Sequence, residues 1–173
     1  AVFSICEESV PNGYQKDILL QEMNESSDIL GIPEENRHVF RYPVRRFSEH
    51  RQDILENLIQ LKKNLQPELI LTPSTYDVHQ DHEVIAKESI RAFRFNNLWG
   101  YTLPWNTVTF SSQGIIELSK TNLETKINAI KCYQSQSFRH YAKAEFFTSQ
   151  SLVNGVQGKS VRAETFEIIR LSF

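Results

Sequence analysis

Apolar and polar positions divide the chain into short apolar runs and longer stretches with a helical period. "AVFSI" at the start is apolar and rich in strand formers, and "EESVPNG" behind it has the residues of a loop. From Asp17 to Leu30 the side chains of Ile18, Leu19, Met23, Ile29 and Leu30 recur at helical spacing. "GIP" stops that helix, with Gly31 just past its end and Pro33 blocking continuation. "RHVFRYPV", Arg37 to Val44, predicts a second strand. Ser48 is placed to cap a long helix that turns Ile54, Leu55, Leu58, Ile59 and Leu65 inward, and Pro67 ends it. "ELILT", Glu68 to Thr72, predicts a compact buried strand that leads into "PSTYDVHQDH". The helix after it directs Val84, Ile85, Ile90 and Phe93 inward.

After Phe95 the pattern changes. "NNLWGYTLPWNTVTFSSQGIIELS" reads as an aromatic loop followed by strands. "TNLE", Thr121 to Glu124, has the form of a capping box for a helix with Leu123, Ile127, Ile130 and Tyr133 on one face. "ETFEIIRLSF" closes the chain as a buried strand through Phe166, Ile168 and Ile169. Helices alternating with short apolar strands predict an α/β layered fold with a mostly parallel sheet. With no repeat, low-complexity tract or linker, residues 1–173 read as a single domain.

Composition narrows the function classes. The 19 basic and 21 acidic residues give a net charge of −2, so no charge field argues for nucleic acid or a membrane surface. No apolar run approaches the roughly 20 residues that span a bilayer. The two cysteines, Cys6 and Cys132, lie far apart, which excludes a cysteine zinc cluster and gives no disulfide framework. A reducing, cytoplasmic setting is the default expectation. The chain opens without methionine, signal-peptide charges or a helix cap, like the inside of a strand, which predicts a processed or truncated N-terminus.

Candidate chemistry concentrates in Asp77 to His82, which holds two of the chain's five histidines between two aspartates. The cluster follows an apolar strand and opens a helix, where open α/β sheets place ligands. His79 and His82, three apart, face similar sides of a first helical turn. The positive helix N-terminus favours neutral imidazole, as metal ligation requires, and Asp77 and Asp81 are placed to accept the second ring N–H. A polar helix start with Asp as its cap is the other coherent reading. The cluster alone does not complete a catalytic zinc site, which takes about three protein ligands. His38, His50 and His140 lack ligand-like spacing and read as structural or surface residues.

"PSTYDVHQDHEVIAKESIRAF" resembles the second motif of the PIG-L/LmbE-like zinc-dependent N-acetyl-sugar deacetylases, a His-x-Asp-His after a strand. "ILGI" after the helix that carries Glu22, "VRRFSEHRQDILE", "LWGYTLPWN", "KINAIKCYQSQSFRHY" and "AETFE" resemble, in order, segments of the branch found in bacterial surface-polysaccharide pathways. The resemblance implies a Rossmann-like fold. It also implies hydrolysis of an N-acetyl group on an amino sugar or its conjugate, with zinc, or another divalent metal, activating the attacking water. By the same resemblance His82 is a metal ligand. His79 stabilises the tetrahedral oxyanion and protonates the leaving amine, and Asp81 tunes His79. A homo-oligomer stays open.

The departures from the family pattern carry their own expectations. Its first motif, His-Pro-Asp-Asp-Glu, supplies two metal ligands and the general base and has no counterpart here. The chain therefore reads as lacking the first strand and helix, with the parent protein active and this chain alone inactive. Leu19 stands where many members carry an arginine, which leaves Arg46 or Arg51 for a substrate-facing role or as surface charges. Asn154 before Gly155 also replaces a usual arginine. Trp99, Tyr101 and Trp105 read either as a sugar-stacking wall or as loop anchors, and Glu164 as pocket lining or a strand-end charge. A non-catalytic carbohydrate-binding or scaffold protein on the same fold is the competing reading.

Overall fold

The computed structural model describes residues 1–172. The chain forms two compact units, Ala1–Val44 with Ile116–Glu164, and Arg45–Ile115 with the residues from Thr165 onward. Each is assembled from two separate stretches, so no single cut of the chain divides them. Five α-helices are found among the described residues: α1 (Ile18–Ile29), α2 (Arg51–Leu65), α3 (Gln80–Ala92), α4 (Lys120–Lys131) and α5 (Ala144–Gln157). The strands are β1 (Leu69–Pro73), β2 (Asn97–Tyr101), β3 (Gly114–Glu117) and β4 (Ala163–Arg170), in the sheet order β1-β2-β4-β3. β1 and β2 run parallel, and β2 and β4 antiparallel. The α/β class expected from the pattern is the class found, with a sheet that is not purely parallel.

In the unit that begins at Arg45, α2 packs on α3 through a core that includes Ile54, Leu55, Leu58, Val84, Phe93 and Leu98, with Ile54 and Leu98 fully buried. Each such side chain contributes about 1.5–3 kcal/mol relative to exposure. Thr72 of β1 donates its hydroxyl to Ser89 of α3 at 3.2 Å, which ties the strand end to the helix behind it. β1 is an edge strand, and Leu69 and Leu71 stand exposed on one of its faces, so the expected fully buried strand is buried at Thr72 and Pro73 instead.

The other unit folds around Phe3, Ile5, Leu123 and Ala129. The two strands expected at "AVFSI" and "RHVFRYPV" meet in one parallel bridge, Val2 with Val39, extended by Tyr42 N donating to Phe3 O at 3.0 Å, with Phe3 and Phe40 stacked at 5.0 Å. Glu22 of α1 is buried and accepts Ser135 N at 2.7 Å and its hydroxyl at 2.6 Å. Gly31 takes the left-handed conformation (φ 69°) expected of a residue just past a helix end.

Three local expectations are corrected. The helix after Ser48 starts at Arg51, behind a 3-10 turn at Phe47–His50, because the Asp81 carboxylate holds the backbone amides of Arg45 and Phe47 and fixes the chain there. Ser119, not Thr121, caps α4, with its hydroxyl accepting from Asn122 N at 3.0 Å. "NLWGY", expected as aromatic loop, is the strand β2.

Candidate functional site

The loop from Ser74 to His79 joins the C-terminal end of β1 to the N-terminus of α3 and carries the candidate chemistry. Asp77 forms a bridge with Thr107, and Val78 N donates to Asn106 O at 2.9 Å, so the loop lies against the segment after β2. The Asp77 carboxylate is fully buried and divides its oxygens between the two histidines. Oδ1 accepts from His79 N, and Oδ2 meets His82 Nδ1, each at 2.8 Å.

His79 is the N-cap of α3, and its Nδ1 accepts from Asp81 N at 3.2 Å. That bond assigns the neutral ring a proton on Nε2. His82 is the opposite case: in its neutral form, Nδ1 beside a carboxylate oxygen carries the proton, which leaves the Nε2 lone pair bare. The rings stack with centroids 4.5 Å apart, and the His82 side chain is 31% exposed, so the cluster reaches solvent. One ring presents a donor and its neighbour an acceptor.

Electrostatics keep the donor ring neutral. Partial burial first, then the neighbouring His82, lowers the His79 pKa, and the Arg45 charge adds to this against the opposing pull of Asp81 and Asp77. The Asp81 carboxylate is itself buried and accepts from Arg45 N at 2.5 Å and Phe47 N at 3.3 Å. Its link to His79 runs through the backbone amide, whereas the carboxylate–imidazole hydrogen bond of the site joins Asp77 to His82.

Sequence reasoning singled out seven residues, and the structure separates them. His79, Asp81 and His82 share the first turn of α3 and the residue that caps it. Trp105, 38% exposed, sits on the 3-10 turn Pro104–Asn106 that borders the loop. Arg46 is exposed and pairs with Glu49 at 3.0 Å. Arg51 donates from Nε (2.8 Å) and Nη2 (2.5 Å) to the buried Glu88 carboxylate. Glu164 belongs to the other unit, where it pairs with Lys126.

Two residues went unnoticed. Arg45 adopts a left-handed backbone (φ 67°) and acts electrostatically on His79, and Glu167 grips the start of the loop. Alternation in β4 puts Glu167 and Glu164, three apart, on opposite faces, a signal that could have distinguished the two glutamates of "AETFE". A cleft of about 530 Å³ opens beside the loop, lined by Thr75, Tyr76, Asp77, Val78, Glu83 and Lys87 among others.

His82 has the chemistry of a metal ligand, a bare Nε2 with its other nitrogen fixed by a carboxylate. Among the described residues no group of three or more His, Cys, Asp or Glu side chains converges on one point, so the fit extends to a single ligand.

A histidine-bearing helix N-terminus at the end of a sheet strand defines the class: an α/β protein with a polar site at its strand ends. Residues 9–93 match the PIG-L family, GlcNAc-PI de-N-acetylase. The conserved protein TT1542 from Thermus thermophilus has the same fold, with a TM-score of 0.78 and 16% identity over 99% of this chain and 80% of that one. GalB, the 4-carboxy-2-hydroxymuconate hydratase from Pseudomonas putida, gives 0.73 at 17% identity over 94% and 77%. The N,N'-diacetylchitobiose deacetylase from Pyrococcus horikoshii gives 0.69 at 19% identity over 92% and 67%. No curated protein matches. Over residues 9–93 the chain is therefore PIG-L-like, and the match supports a deacetylase-type function. Among the described residues no helix is long and apolar enough to cross a membrane.

Proposed function

We propose that the protein is a metal-dependent N-deacetylase that hydrolyses the acetamide of an amino sugar or its conjugate in the cytoplasm. The observation that carries this reading is the opposed pair of imidazoles at the start of α3, a donor Nε2–H on His79 beside a bare Nε2 on His82. A bound divalent ion, zinc in the first instance, supplies a water of lowered pKa, and His82 is the residue that would hold it. His79 donates from Nε2 to the acetamide oxygen, a bond that strengthens as the carbonyl becomes a tetrahedral oxyanion. A lowered pKa keeps this ring a neutral donor at rest. Asp77 fixes the His82 tautomer, and Asp81 fixes the helix start against Arg45 and Phe47. Water adds across the C–N bond, releasing acetate and the free amine. The exposure of Trp105 and Arg46 supports assigning them to the sugar, whereas Arg51 pairs with Glu88.

Acetate release from N,N'-diacetylchitobiose and N-acetylglucosamine, measured on the full-length protein with zinc, tests the reading. His79→Ala is expected to lower kcat about 100-fold, the effect of losing one oxyanion donor. His82→Ala is expected to lower zinc affinity, read separately by calorimetry. Undiminished turnover in both variants rejects the assignment.

A further inference from the structure

The buried carboxylate of Glu167 has no part in the chemistry above. It lies on β4, opposite Gly100 of β2, which in turn lies beside Thr72 at the end of β1. The side chain crosses the middle strand where that strand has no side chain of its own. A Cβ on Gly100 would stand 2.8 Å from Glu167 Oε2 and 2.9 Å from Ser74 Cα, so the crossing requires glycine. Beyond it, Oε2 accepts from the Ser74 hydroxyl and from Thr75 N, both at 2.8 Å, and Oε1 accepts from the Thr75 hydroxyl. A buried carboxylate is costly to desolvate unless its oxygens are satisfied, and the three donors found here all belong to the first two loop residues.

From those residues the contacts run on to the histidines. Ser74 O accepts from Asp77 N at 3.1 Å, the Ser74 hydroxyl accepts from Tyr76 N at 3.1 Å, and Asp77 holds His79 N and His82 Nδ1. We propose that Glu167, reaching over Gly100, is a positioning residue that sets the loop so that Asp77 holds His82 with its Nε2 bare. Its consequence for turnover rests on the deacetylase reading above. Its consequence for the imidazole does not.

The test uses the full-length protein with two substitutions. Glu167→Gln keeps the shape but brings an amide NH2 against donors, and Thr75→Val removes one hydroxyl from an otherwise intact loop. Two-dimensional 15N–1H spectra of the histidine rings report the tautomer of His82. The proposal expects an Nδ1–H tautomer in the parent, a loss of that preference in Glu167→Gln, and a smaller loss in Thr75→Val. It also expects kcat on the N-acetyl sugar to fall about tenfold in Glu167→Gln, the low end of the effect of losing a supporting partner, with KM unchanged. A parent-like tautomer in both folded variants overturns the proposal, even if thermal stability falls, because Glu167 then only braces the sheet. If the parent releases no acetate, the deacetylase reading fails while the ring spectra still decide the role of Glu167.

Discussion

Replacing Arg51 with alanine distinguishes a substrate-facing arginine from a structural clamp. The Glu88 side chain is completely buried, and its Oε1 takes two nitrogens of Arg51 while Oε2 takes Arg91 Nη1 at 2.5 Å. The two arginine side chains are 51% and 53% exposed. Breaking a fully buried ion pair costs about 3–5 kcal/mol, because it strands a charge. Here the guanidinium that is lost was already half in water and Arg91 still neutralises the acid left behind, so Arg51→Ala is expected to cost only about 1–2 kcal/mol. For a chain of this length that is a Tm drop of about 2–8 °C. Removing Arg91 as well leaves the carboxylate alone in the core, so the double variant is expected to exceed the sum of the singles by about 1–3 kcal/mol. Urea unfolding of the four proteins, with m unchanged, gives the coupling directly. An Arg51→Ala protein with the parent's stability and a raised KM for an N-acetyl sugar would refute the clamp and restore Arg51 to the substrate.

Asp77→Asn is expected to leave His79 N paired through the side-chain oxygen while turning an NH2 toward His82 Nδ1. That ring then carries its proton on Nε2, and zinc affinity, measured by competition with a chelator, is expected to fall about 10–100-fold. The Tyr101 phenol is pushed up to about 12, by burial first and then by Asp77, from an ordinary value of 10.0. The unfolded chain loses this proton first, so stability is full below pH 10, falls as pH rises through that window, and levels off above about 12. The loss is at most about 3 kcal/mol. Thermal melts across this range check it, and Tyr101→Phe is expected to flatten the decline.

What could be read from the chain follows from the range of the interactions involved. α2 and α3 were legible because each has a buried apolar face at the helical period: Ile54, Leu55 and Leu58 recur at the expected spacing and are buried, whereas α1 has the apolar spacing but buries Glu22, Ser26 and Ser27 and leaves Ile29 exposed. α5 was not, since "AEFFTSQSLVNGVQ" spreads its apolar residues around the helix and leaves Leu152, Val153 and Val156 exposed. The start of α2 was misplaced because its determinant is the carboxylate of Asp81, 36 residues away from Arg45. Local capping rules weigh only neighbours in sequence, and here a distant acceptor fixed the backbone first.

The same distinction runs through the site. His79 and His82 were visible because a helix N-terminus needs only local sequence to be recognised, but spacing alone left both rings equivalent. Their difference comes from which atom meets each Nδ1, a backbone N–H for His79 and a carboxylate oxygen for His82. The partner of His79 belongs to the first turn of α3 and that of His82 to the loop, so the loop conformation decides whether His82 can ligate. That conformation depends on Glu167, which bonds Thr75 from 92 residues away. A histidine motif can therefore persist in a sequence while its chemistry is lost, if the glutamate or the glycine it crosses is changed. The pair Glu167 and Gly100 is consequently a sharper criterion than His-x-x-His for whether a chain of this fold holds its histidines in opposed tautomers.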